Sequence, residues 1–216
     1  MKYLFLALFF VSSGIHLYAS WIKDKKLRAY SKVFIVLALL GWYCVTVNNI
    51  MLIAVLALFF SWLGDVLLIP HGTKWFVFGG IAFMASHLFF VLCYSQHIDF
   101  AALPVAPAVF IALVYITLVF FIFRALKPHL KKALFYPMFF YLLLNGTMNC
   151  FAFYQLISYP CLETALTFFG AVMFFCSDSI LFFVRFNKES RFQSHFPVML
   201  TYIIAEFLIT YGLIYI

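Results

Sequence analysis

The apolar residues of this 216-residue chain form eight long runs separated by short polar gaps. We place the runs at residues 3–21, 31–47, 49–69, 75–96, 104–123, 133–154, 162–184 and 196–216. An α-helix rises about 1.5 Å per residue, so roughly 20 apolar residues cross a hydrocarbon core of about 30 Å. The pattern predicts a single all-α domain over residues 1–216, an integral membrane protein that is a bundle of eight transmembrane helices.

The division between the second and third runs depends on two neighbouring asparagines. Without Asn48 and Asn49, residues 33–69 are one apolar stretch, which is too long for a single crossing. We therefore predict a tight turn at these two residues.

Composition indicates that lipid is the solvent of this chain. Hydrophobic residues make up 67% of the sequence and charged residues only 10%, more apolar surface than a soluble domain of this length can bury. The net charge of +7 does not indicate nucleic-acid binding, because the basic residues lie in short clusters between apolar runs.

The positions of these clusters predict an orientation. If the eight helices alternate in direction, the gaps after the first, third, fifth and seventh share one side of the membrane. These gaps, with Lys32 at the start of the second run, hold every lysine and arginine except Lys2. Basic residues accumulate in cytoplasmic loops. We therefore expect this side to be cytoplasmic and both termini to lie on the non-cytoplasmic side, in a bacterial inner membrane.

Three acidic residues, Asp65, Asp178 and Glu206, fall inside apolar runs. A charge at mid-bilayer costs about 2.5–3.5 kcal/mol, so three such residues in one chain indicate a functional site. Helical rise puts Asp65 roughly 6 Å and Asp178 roughly 10 Å from the cytoplasmic ends of their runs. Polar residues of other runs fall in the same half of the membrane, and we predict that they line one cavity with the acids. These supporting candidates are Ser61, His87, Asn145, Ser177, Tyr202, Glu206 and His16.

Motifs for other chemistries are missing from the sequence. The six histidines include no HxxxH or HExxH pair, and zinc sites need three or four protein ligands, so we expect no metal. There is no GxSxG and no glycine-rich phosphate loop. We therefore expect neither a serine hydrolase nor a nucleotide-binding protein, and no cofactor.

Four short segments resemble the YhhN/TMEM86 family, in the same order along the chain. They are residues 61–68 (SWLGDVLL), 80–90 (GIAFMASHLFF), 170–181 (GAVMFFCSDSIL, with Arg185 after it) and 202–209 (YIIAEFLI). At the position of Glu206 the family more often has Gln.

The resemblance implies a lipid hydrolase. Characterised members are lysoplasmalogenases, also called alkenylglycerophosphocholine/ethanolamine hydrolases, which cleave the vinyl ether bond of a lysoplasmalogen to a fatty aldehyde and a glycerophospho-alcohol. It implies that Asp65 and Asp178 are the catalytic carboxylates, one as acid and one as base, with the assignment open. The expected partner is a lysophospholipid in the bilayer, whose phosphate can meet Lys74, Arg185 or Lys188.

Other functions fit the same residues. Buried carboxylates also relay protons in proton-coupled transporters. A lipid-binding membrane protein without activity, and a hydrolase of another lysolipid, are further alternatives. The oligomeric state stays open.

Overall fold

The computed structural model describes residues 1–187 and 194–216. All regular secondary structure in these residues is helical. The α-helices are α1 (Lys2–Trp21), α2 (Lys25–Thr46), α3 (Leu52–Leu67), α4 (Thr73–Ser95), α5 (Val105–Leu126), α6 (Phe135–Ser158), α7 (Leu162–Phe186) and α8 (His195–Tyr215). Two single turns of 3-10 helix, Lys127–His129 and Lys132–Leu134, connect α5 to α6. The predicted all-α class and the break between the second and third helices are confirmed.

Six of these helices are long and apolar enough to cross a membrane: α1, α2, α4, α5, α7 and α8. Helix α3 is apolar but has only 16 residues. Helix α6 has 24 residues, but Asn145, Asn149 and Gln155 lower its hydropathy. The chain is therefore a multi-pass integral membrane protein.

Helix α2 begins six residues before the predicted start at residue 31. The carboxylate of Asp24 accepts hydrogen bonds from the backbone N–H groups of Lys26 and Leu27, which caps the first turn. Because of this cap, residues 25–30 are helical, although their charges predicted a loop. As a consequence Arg28 and Lys32, four residues apart, lie on one face of α2.

Prolines follow the ends of two other helices whose lengths differ from the prediction. Helix α3 ends at Leu67 and not at residue 69, just before Pro70. Helix α6 continues past the predicted end at residue 154 and stops before Pro160. Proline disfavours the helical conformation in the residue that precedes it, so both helices end within three residues of a proline.

The helices form a closed ring with two additions. Each helix of the ring packs against the next in the order α2, α3, α4, α6, α7 and α8, and α8 packs against α2. Helix α1 packs against α2 and α8, and helix α5 packs against α6 and α7. The interior of the ring holds edge-to-face aromatic contacts, among them Phe83 with Phe174 and Phe174 with Tyr202. Side chains from several helices therefore meet at its centre.

Helices α7 and α8 approach each other closely because glycines lie at their contact. A methyl group on Gly170 would lie 2.9 Å from the carbonyl oxygen of Ala205, and one on Gly212 would overlap Thr167. Small residues at such positions let two helix backbones pack tightly in a membrane. This contact fixes the position of Asp178 on α7 relative to Tyr202 on α8.

We expect Gly170→Ala to destabilise the protein by about 1–3 kcal/mol, because the added methyl group must push the α8 backbone away. The matched control is Gly80→Ala on α4, where a Cβ would enter open space. Thermal unfolding in detergent should show a Tm lower by several degrees for the first variant only. Equal melting temperatures of the two variants would contradict the close packing of α7 and α8.

Candidate active site

A cavity of about 420 Å³ opens at one end of the bundle, among helices α1, α2, α3, α4, α7 and α8. Its volume is within the range of small-molecule sites, about 300–1,000 Å³. The connections after α1, α3 and α7 meet at its mouth, where Lys23, His71 and Ser194 contribute to the lining. These are three of the four connections that the charge pattern assigns to one side. Lys188 and Arg191 of the last connection lie outside the described residues.

Asp65 stands on the last turn of α3 and is 1% exposed. Its Oδ1 lies 3.1 Å from the ammonium nitrogen of Lys32 on α2. Its Oδ2 accepts a hydrogen bond of 2.9 Å from the hydroxyl of Tyr202 on α8. Three helices thus hold this carboxylate, and a cation neutralises its charge.

The ammonium group of Lys32 is the main feature that the sequence did not reveal. Its side chain is only 15% exposed and lines the cavity. Sequence reasoning counted Lys32 among the charges that set membrane orientation. One feature of the sequence did point to a contact with Asp65. Lys32 is the second residue of the predicted second run, at the same end of the bundle as Asp65.

Asp178 on α7 has uncharged hydrogen-bond donors. Its Oδ2 accepts bonds from the hydroxyl of Tyr141 at 2.6 Å and from the side-chain amide of Asn145 at 2.7 Å, both on α6. The Nε2 atom of His87 lies 3.8 Å from the same oxygen. Among the described residues, no hydrogen bond reaches the other oxygen, Oδ1. The two aspartates therefore share a cavity but have different surroundings.

Two further predicted residues line the cavity and link its helices. The hydroxyl of Ser177 donates to the carbonyl oxygen of Val198, which ties α7 to α8 at 2.9 Å. His16 on α1 lies 3.0 Å through Nδ1 from the hydroxyl of Ser31 on α2. Both are almost fully buried.

Four other predicted residues are fully buried but do not line this cavity: Ser61, His87, Asn145 and Glu206. Ser61 and Glu206 lie one helical turn deeper than Asp65 and Tyr202. Ser61 hydrogen-bonds Ser86 of α4 at 2.8 Å. The carboxyl oxygens of Glu206 make no hydrogen bond of good geometry to a described residue, although Ser61 and Tyr202 lie close. The polar residues predicted to line one cavity therefore form two groups: some line the cavity, and the others lie in a layer behind its wall.

Two of the three head-group candidates belong to the described residues, and their positions differ. Lys74 is exposed and does not line the cavity. Arg185 lies at the mouth, where its guanidinium makes a long hydrogen bond of 3.5 Å to the carbonyl oxygen of Gly72 and lies 5.1 Å over the ring of Phe76. Tyr141 and Arg28 were not predicted as site residues. Tyr141 precedes Asn145 by four residues on the same face of α6, and that spacing was its signal.

No group of three or more His, Cys, Asp or Glu side chains capable of holding a metal ion occurs in the part of the chain that the structure describes.

Comparison with known proteins gives one match. The model of the YhhN family matches residues 27–213, which is most of the chain. The matched region includes Lys32, Asp65, Asp178 and Tyr202. The resemblance inferred from the four motifs is thus confirmed. No curated protein and no solved structure matches the chain.

We expect Lys32→Met to lower the stability by about 3 kcal/mol, because it leaves the buried carboxylate of Asp65 without its cation. Lys25→Met is the matched control, since Lys25 is an exposed cavity-mouth lysine with no carboxylate partner among the described residues. Thermal unfolding in detergent measures both.

The double variant Lys32→Met/Asp65→Asn should regain most of the lost stability, because no unpaired charge then remains at the site. A double variant as unstable as Lys32→Met alone would argue against the ion pair.

Proposed function

The chain belongs to the YhhN family, and from that premise we propose that it is a lysoplasmalogenase-like intramembrane hydrolase. It cleaves the vinyl ether bond of a lysoplasmalogen (alkenyl-glycerophosphocholine or -ethanolamine) to a fatty aldehyde and a glycerophospho-alcohol. One observation carries the proposal: Asp65 and Asp178, from helices α3 and α7, line one cavity and have different partners.

Vinyl ether hydrolysis requires an acid and an anion. A proton first adds to the alkene carbon farther from the oxygen, which leaves an oxocarbenium ion. Water then adds to the carbon that bears the oxygen, and the hemiacetal that forms collapses to the aldehyde and the free glycerol hydroxyl. A positioned acid speeds the first step, and a nearby carboxylate stabilises the cation and accepts the proton of the attacking water.

Asp178 is the acid in this scheme. A charged carboxyl buried without a counter-ion is costly, and the groups in hydrogen-bond contact with Asp178 are the uncharged donors Tyr141 and Asn145. Both bonds end on Oδ2, which leaves Oδ1 to hold the proton and deliver it to the alkene. The two donors fix the orientation of the carboxyl group, and the ring of His87 lies beside it.

Asp65 is the anion. Its contact with Lys32 keeps the carboxylate charged inside the protein, and the hydroxyl of Tyr202 fixes its second oxygen. In this position it stabilises the oxocarbenium ion and takes a proton from water. Lys32 is thus a positioning residue that acts through Asp65.

The apolar part of the lining suits a lipid chain. Leu68, Phe83, Leu181 and Met199 contribute carbon surface to the same cavity as the two aspartates. An alkenyl chain packed on these side chains keeps its first two carbons, which form the double bond, at the level of the carboxyl groups.

For the membrane topology we propose eight crossings of a bacterial inner membrane, with α3 and α6 spanning as well and both termini on the non-cytoplasmic side. Alkaline phosphatase fusions test this topology, because the reporter needs disulfides that form only in the oxidising periplasm. A fusion after Ile216 should be active and one after His71 inactive. Activity of the second fusion would reverse the orientation.

Asp65→Asn and Asp178→Asn should each reduce aldehyde release from a lysoplasmalogen at least about a hundredfold, because each removes one of the two proton-transfer groups. The measurement is turnover by purified protein in detergent micelles. Asp99→Asn is the control, since Asp99 lies in the exposed connection between α4 and α5 and its carboxylate accepts hydrogen bonds from backbone N–H groups there.

Near-normal turnover in either aspartate variant would remove that residue from the mechanism. Proton-coupled solute flux into sealed vesicles, with no aldehyde from any vinyl ether substrate, would favour a transporter. Release of fatty acid from an ester lysolipid instead would keep the hydrolase class and change the substrate.

A further inference from the structure

The mouth of the cavity carries more positive charge than the proposed mechanism uses. The lining contains two carboxyl groups, Asp65 and Asp178, and five basic side chains: Lys23, Lys25, Arg28, Lys32 and Arg185. Of these five, only Lys32 forms an ion pair with a carboxylate among the described residues. A concave site lined mainly by one sign of charge attracts ions of the other sign. The mouth is therefore suited to an anionic group.

Arg28 is the more buried of the two arginines in this lining. It lies one helical turn before Lys32 on the same face of α2 and is half-buried. Its Nε atom is shielded from solvent and has no hydrogen-bond partner among the described residues. A buried donor left unpaired is unfavourable, so an acceptor that reaches it removes that cost on binding.

Arg185 reaches the mouth from the last turn of α7. Its contacts with the carbonyl oxygen of Gly72 and the ring of Phe76 hold the guanidinium in one place. They engage one nitrogen and one face of the group, and within residues 1–187 and 194–216 its other N–H donors have no hydrogen-bond acceptor. A guanidinium already held in position loses little entropy on binding.

Both arginines contribute to the lining of the cavity, and so does His195. His195, the first residue of α8, lies within electrostatic range of Arg28, Lys32 and Arg185 together. Because these three come from α2 and α7, His195 marks the place where positive charge from two helices converges.

We propose that Arg28 and Arg185 bind the phosphate of a lysophospholipid at the mouth of the cavity. The planar N–H fork of a guanidinium matches phosphate oxygens and forms bidentate charge-assisted bonds with them. A phosphate held there leaves the glycerol and the chain to enter the cavity toward Asp65 and Asp178. The identity of the lipid rests on the proposed function, whereas the phosphate site rests on the arginines themselves.

A binding experiment tests this site without any turnover. The probe is the saturated-ether analogue of a choline lysoplasmalogen, which has no vinyl ether to cleave, and the comparison is the alkylglycerol with the same chain and no phosphate. Affinities are measured for the full-length protein in nanodiscs. We expect the phosphate-bearing probe to bind at least about tenfold more tightly than the alkylglycerol.

Arg28→Gln and Arg185→Gln should each weaken binding of the phosphate-bearing probe about tenfold and leave the alkylglycerol affinity unchanged. Arg124→Gln is the matched control, because Arg124 is an exposed arginine on the last turn of α5 and does not line the cavity. Arg28→Lys and Arg185→Lys keep the charge and lose the fork, so they should give intermediate losses and serve if a glutamine variant does not fold.

Equal affinity for the two probes, or a phosphate preference that survives in both arginine variants, would overturn the proposal. A third arm uses inorganic phosphate alone. Tight binding of phosphate that both arginine variants lose, without a preference between the lipid probes, would identify a soluble phosphate as the ligand and overturn the lipid assignment. If the unaltered protein releases no aldehyde from a lysoplasmalogen but still prefers the phosphate-bearing probe, the proposed hydrolysis is contradicted and the phosphate site stands.

Discussion

A carboxylate inside a membrane protein keeps its charge only if a cation or several hydrogen bonds replace the water that it loses. In this protein the ion pair between Lys32 and Asp65 meets that requirement. It also joins α2 to α3, while the hydroxyl of Tyr202 joins α8 to the same carboxylate. These two contacts of one carboxylate thus fix the relative position of three helices, and the ion pair sets the charge state of the proposed base.

The contrast with Asp178 follows from the same constraint. Asp178 is also buried, but its close partners are the hydroxyl of Tyr141 and the amide of Asn145. Uncharged donors of this kind are compatible with a neutral carboxyl group. Acid and base therefore differ through their neighbours, although both are aspartates that face one cavity. This difference is the physical basis of the proposed proton transfer.

The ring of helices makes these neighbours possible. Each aspartate takes its partners from other helices: α2 and α8 for Asp65, and α6 for Asp178. Close contact of α7 with α8 at Gly170 and Gly212 keeps Asp178 on α7 near Tyr202, the α8 partner of Asp65. Because lipid offers no hydrogen bonds, polar side chains that point into the ring satisfy one another.

Much of this organisation is determined by the sequence alone. Apolar runs of membrane length, bounded by charges and prolines, determine the helices, since helix formation in lipid depends on local composition. Acids within those runs identified Asp65 and Asp178, because a charge in an apolar run is visible without any structure. The short motifs around them also identified the family.

The tertiary structure decided which residues meet. Lys32 and Arg28 resemble ordinary loop charges until the cap at Asp24 extends α2 and turns both into the cavity. Conversely, Glu206 has the same sequence signature as the two aspartates but lies behind the cavity wall. A sequence gives the depth of a residue along its own helix, whereas the rotation and packing of the helices decide its partners. The rotation and packing depend on contacts between residues far apart in the chain, such as Lys32 with Asp65 and Asp65 with Tyr202.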